Sequence, residues 1–240
     1  MKRHLCSFVR IFRAILLPAL ALLASTPAYP DARNLAPGFS SLPKSAKVLI
    51  MPPDVELFSI SGGGVMEPKA DWTAAAHTHL HAALTGKAAE LALQTQQLAE
   101  QDADELAEIS ALHAAVARSI AFHHMGIGSF ALPTKNGMLD WSMGDAVKPV
   151  LDKSAADYAL FIWMRDSYAS SERKAAMIAL ALLGVGVGGG MQIGYASLVD
   201  LRTGQVVWFN RLARADGDLR EAAPAAETVK ALLDQFPNSK

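Results

Sequence analysis

The sequence predicts one α/β (α+β) domain: a mixed sheet of about five to six strands, helices packed on its faces, and a C-terminal β-hairpin followed by a helix. Three observations predict it. Tyr158 to Met164 is a nearly continuous apolar and aromatic run, as a central strand requires. Stretches of strand and helix character interleave along the chain. Two strand-like segments, Gly194 to Leu201 and Gln205 to Arg211, flank Arg202-Thr203-Gly204, a strong hairpin signal.

The elements follow in order. Met1 to about Ala28 reads as a secretory signal peptide. Lys2, Arg3, Arg10 and Arg13 form a basic flank, Ala14 to Ala24 an apolar run, and Thr26-Pro27-Ala28 a cleavage site with small residues. The run is too short to span a bilayer as a helix, which needs about 20 apolar residues. Cys6 lies ahead of that run, not directly after it, so it does not fit a lipid-attachment cysteine. Removal of the segment would leave a chain without cysteine, suited to an oxidising compartment. Residues 29–45, with Pro30, Pro37 and Pro43, read as an extended leader, and residues 46–240 as the single domain.

Lys47 to Met51, stopped by Pro52-Pro53, reads as a buried strand, and Val55 to Ile60 as a second. Asp71 is placed to cap a helix over Trp72 to Leu84, ended by Gly86. Leu91 to Gln97 leans towards a strand, although its neighbours favour helix. Asp102 or Asp104 opens a long helix through His124 with one stripe of Leu106, Ile109, Leu112, Val116 and Ile120. A short helix reaches Lys153 from Ser142 or Asp145. Ser170 or Ser171 caps a helix over Glu172 to Leu183, and a last helix covers Pro224 to Phe236.

Composition narrows the function classes. The chain has 240 residues, 51% of them hydrophobic, and a net charge of −1, which excludes a disordered polyelectrolyte. Loss of the four basic residues of the signal segment takes the charge to −5. An acidic chain is a poor partner for phosphate backbones, so nucleic acid is not an expected ligand.

Candidate chemistry is sparse. His77, His79 and His81 stand in Ala-His-Thr-His-Leu-His. On a helix His77 and His81 share a face and could hold a metal, the basis for a metal-dependent hydrolase, while His79 points elsewhere. The alternative is a partly exposed helix that carries histidines. Gly184, Gly186 and Gly189 match G-x-G-x-x-G, but after a helix and before a strand, the reverse of a dinucleotide fingerprint. No cofactor is predicted. Arg165, Asp166 and Arg173 follow the best strand at its C-terminal end, where open α/β sheets bind ligands. They read either as a site for a small anion or a partner, or as an exit turn with a cap and a surface ion pair.

From Ala175 to Val199 there is no Asp, Glu, Lys or Arg over 25 positions. The helix within it is apolar on every side and must be covered by protein or by lipid. Burial against the sheet is the commoner solution. The other is a surface for self-association or membrane contact through residues 175–190.

The strand entered by Tyr158-Ala-Leu-Phe161, and the hairpin Val199-Asp-Leu-Arg-Thr-Gly-Gln-Val-Val-Trp208, resemble elements of periplasmic and outer-membrane accessory domains. These are the TolB N-terminal domain, the curli secretion lipoprotein and the penicillin-binding-protein activator lipoproteins. The resemblance covers about Lys47 to Phe236 in element order. It implies a non-enzymatic envelope protein, periplasmic or outer-membrane-associated, that assembles with an envelope protein partner or with itself. The chain lacks the cysteine at which such lipoproteins are anchored.

Overall fold

The computed structural model describes residues 32–98, 100–126 and 130–239. The predicted signal peptide lies outside them. One mixed sheet of seven strands organises the chain. Its axis is β5, Tyr158–Ala169, at 12 residues the longest strand. β1 (Lys47–Ile50) and β2 (Asp54–Ile60) run parallel to it on the same side, end to end. β1 pairs with residues 158–160 and β2 with 163–169. Pro52-Pro53 lies in the gap between them. Proline has no N–H to give a ladder, so the pair marks the point where one strand stops and the next begins.

Two short strands finish that edge. β4 (Gln94–Gln97) lies parallel outside β1, and β3 (Met66–Pro68) antiparallel outside β2. On the other side of β5, β6 (Gln192–Asp200) and β7 (Val206–Arg214) form the predicted antiparallel hairpin. Its turn brings Gly204 against Gly144: φ is +72°, and a Cβ there would stand 2.2 Å from the Gly144 carbonyl oxygen. Only glycine fits that approach.

Strand alternation sends Leu160, Ile162 and Met164 to one face and Ala159 and Phe161 to the other. The first face is covered by α1 (Ala70–Glu90) and α6 (Ala222–Leu232), through Leu80, Leu84, Val229 and Leu232. The second is covered by α3 (Ala107–His123) and α4 (Lys148–Ser154), through Ile109, Ile120 and Val150. α2 (Glu100–Glu105) precedes α3, and α5 (Ser171–Leu182) joins β5 to β6.

Several boundaries differ from the sequence reading. α1 passes through Gly86 and ends at Glu90, because burial of Leu80, Leu84 and Ala88 outweighs the cost of one mid-helix glycine, about 1 kcal/mol. Asp71 lies inside its first turn, and the N-cap is Lys69, without a side-chain cap. The long helix is broken at Leu106, which is buried between α2 and α3. β3 is the strand beyond the expected six; at three residues it is too short for a pattern. Residues 35–46 pack onto the body: Leu35 bridges Trp208, and buried Leu42 pairs near Ser239.

Candidate functional site

The predicted cluster of Arg165, Asp166 and Arg173 does not converge. The sequence reading ended the strand at Met164, whereas β5 continues to Ala169, so consecutive residues point to opposite faces. Arg165 lies beside Trp163, 4.6 Å from its ring centroid, and pairs with Asp54 Oδ1 at 2.7 Å and Glu56 Oε2 at 3.4 Å. Arg173, on α5, donates to the Gly188 carbonyl at 3.2 Å. The cap expected of Ser170 is present: its Oγ accepts from Arg173 N at 3.1 Å.

Asp166 takes a different environment, at 2% exposure. Its Oδ2 accepts from the Tyr168 hydroxyl at 2.5 Å and from Gln192 Nε2 at 2.6 Å. Gln192 Oε1 in turn accepts from Arg214 Nε at 2.9 Å and from Thr228 Oγ1 at 3.0 Å. The Tyr168 hydroxyl accepts from Leu219 N at 2.8 Å. Arg220 stacks 3.9 Å from the centre of the Tyr168 ring and 4.7 Å from that of Trp72, and binds Asp218 at 2.6 Å. Burial pushes the Asp166 carboxyl above its ordinary range, against the pull of its two side-chain donors. Burial, then the bond to Asp166, pushes Tyr168 up. The Arg220 hydrogen bond holds Asp218 below the usual carboxylate range. Asp166, Lys174, Asp216 and Arg220 line a cavity of about 270 Å³ at the end of the β5–β6 ladder.

Adjacency in sequence hid most of this network. Gln192, Arg214, Thr228 and Asp218 come from the start of β6, the end of β7 and the α6 region. The one legible sign was spacing: Asp166 and Tyr168, two apart on a strand, share a face.

His77 and His81 do share one wall, in a pocket of about 480 Å³ with Pro52, Pro53, Leu84 and Leu98. Burial lowers the His77 pKa, and Asp54 opposes the shift. His79 points away, 3.2 Å from the Arg220 carbonyl. Among the described residues no three metal-capable side chains gather. His113 is fully enclosed, 2.8 Å from Ser197 Oγ and stacked on Phe161, and burial takes its pKa down to about 3. That histidine–serine contact lies inside the core, closed to a substrate. His123 and His124 bond the carbonyls of Phe130 and Arg33.

The charge-free stretch corrects the expectation that it packs against the sheet. α5 buries none of its residues. Ile178 is 67% exposed, Leu182 85% and Leu183 77%. Residues 184–191 turn back beside the helix, with Gly189 in contact with Met177 and Arg173 bonded to Gly188. The root is pinned where Ser167 exchanges hydrogen bonds with Met191. The result is an apolar arm that projects from the end of the sheet. Among the described residues no helix is long and apolar enough to cross a membrane.

No family model and no curated protein matches the chain, so the TolB-type resemblance is carried by the two strand motifs alone. Solved structures give distant likenesses. A PelC dodecamer from Paraburkholderia phytofirmans is similar over 83% of this chain and 93% of its own, at 13% identity and a TM-score of 0.37. The LpoB C-terminal domain from Salmonella enterica is similar over 75% and 87%, at 12% and 0.30. Lipoprotein GNA1162 from Neisseria meningitidis is similar over 80% and 97%, at 14% and 0.33. At these scores they assign this chain no role.

Proposed function

We propose that this chain is an exported, non-catalytic accessory protein of the cell envelope that works through protein–protein contacts, with the arm of α5 and residues 183–191 as its contact surface. The observation that carries the reading is the exposure of Leu182 and Leu183 on a stretch with no charged side chain from Ala175 to Val199. A soluble surface rarely leaves contiguous aliphatic side chains in water unless another surface covers them. Among the described residues nothing in the same chain covers them, and the proposed cover is a protein partner or a second copy. The reading of Met1 to Ala28 as a signal peptide supplies the compartment.

A photo-crosslinking residue in place of Leu182, compared with one in place of exposed Glu108 on α3, tests the proposal in native envelopes. Adducts with a defined protein, or with the chain itself, are expected from position 182 and not from position 108. Lipid adducts alone would replace the partner with the membrane surface. No adduct, together with a strictly monomeric purified protein, would overturn the reading, as would recovery of the unprocessed chain from the cytosol.

A further inference from the structure

The cavity at the end of the β5–β6 ladder is lined by charges of both signs, and their pairing is incomplete. Arg220 is held by Asp218, and Asp216 lies 3.8 Å from Arg214. Asp166 and Lys174 line the same cavity, and among the described residues neither takes part in an ion pair. Asp166 forms the buried end. It meets two neutral donors, Tyr168 and Gln192, both on Oδ2. A carboxylate taken out of water gains most from a cation, because neutral donors return only part of its lost hydration. Lys174 forms the exposed end, in the first turn of α5.

We propose that this cavity binds a small zwitterion of the amino-acid type, its ammonium on Asp166 and its carboxylate on Lys174. A simple anion would meet the Asp166 carboxylate at the floor. A simple cation would pass Lys174 and Arg220 at the mouth. A ligand with both charges answers both unpaired groups. Met177 and Met191 supply an adaptable apolar wall for the ligand's side chain. The volume of about 270 Å³ lies at the small end of ligand pockets, which suits a single amino acid and not a nucleotide. Gly190 keeps its wall thin: a Cβ there would stand 2.0 Å from the Ser167 carbonyl oxygen. The root of the arm supplies part of this cavity, through Lys174, Met177, Gly190 and Met191, whereas the proposed contact surface is its tip at Leu182 and Leu183. Ligand binding and adduct formation are therefore read at different positions, and either can fail alone.

Isothermal titration of the full chain tests the site, with glycine, alanine, leucine, glutamate and lysine as zwitterions and propylamine and propionate as single-charge probes. Saturable binding of at least one amino acid is expected, at least about tenfold tighter than either single-charge probe. Asp166→Asn and Lys174→Met should each weaken it by about tenfold or more. Lys174 is exposed, so Lys174→Met keeps the test sound if Asp166→Asn fails to fold. No saturable heat with any amino acid up to about 10 mM would overturn the proposal. So would equal affinity for propylamine, or unchanged binding in Lys174→Met.

Discussion

α6 and α5 are helices of 11 and 12 residues, and each ends on a leucine, Leu232 and Leu182. Leu232 is fully buried with Ala225, Thr228 and Val229, whereas Leu182 is 85% exposed on a helix that buries nothing. Composition would have ordered them the other way, since α5 carries the more continuous aliphatic run. Topology decides instead. α6 follows the free end of β7 and can fold back across a face of the sheet. α5 must join β5 to β6, which pair from Tyr158↔Asp200 to Asp166↔Gln192. Its link therefore emerges at the strand ends, and both faces are already covered by α1 with α6 and by α3 with α4. A hydrophobic pattern says that a helix needs cover; the connection says whether its own chain can reach to give it.

The sharpest expression of the contrast is Leu232→Ala. It empties a site between α6 and the sheet and should cost about 2–5 kcal/mol of unfolding free energy, read from the urea midpoint at constant m-value. A loss below about 1 kcal/mol would mean that α6 is as loosely held as the arm.

Acid separates the two regions next. His113 sits within the core with its pKa near 3, against about 6.5 for a free imidazole. The unfolded chain therefore binds a proton that the folded chain refuses between those values. Stability is complete above about pH 6.5 and falls by about 1.4 kcal/mol per pH unit below it, so a drop to pH 5 should cost about 2 kcal/mol. His77, lowered less and half-exposed, adds in the same direction. His113→Gln should flatten the slope between pH 6.5 and 5. An unchanged slope would place the titrating group elsewhere. Beyond its first turn the arm carries no Asp, Glu, Lys, Arg or His, from Ala175 to Met191, so that part adds nothing to the slope.

Much of the body was legible because its signals are local. Tyr158 to Met164 and Arg202-Thr203-Gly204 state the central strand and the hairpin outright, and Ser170 caps α5 as its position predicts. Gly86 misled because a local helix breaker was overruled by three buried contacts from elsewhere. The ligand residues were half legible. Reading β5 five residues too short turned an alternating strand into a turn, which grouped Arg165 with Asp166 when the sheet lies between their side chains. The partners of Asp166 come from β6, β7 and α6, and no spacing along the chain encodes that meeting. The fate of α5 was hidden for the same reason: cover is a property of the assembled sheet.

Leu182→Lys gives the smallest effect and the most direct test of the comparison. The side chain is already in water, so no desolvation cost attaches to the ammonium. Lysine is close to leucine in helix propensity, and a cation in the last turn interacts favourably with the helix dipole. Unfolding free energy should therefore change by no more than about 0.5 kcal/mol, and upwards if at all. Binding of an apolar dye should fall, because the tip of the arm loses its aliphatic surface. A loss of more than about 2 kcal/mol in the isolated protein would show that α5 is packed within its own chain, and the contrast with α6 would collapse. Unchanged stability, with loss of the adducts formed by a photo-crosslinking residue in place of exposed Leu183, would place the missing cover of α5 outside the chain.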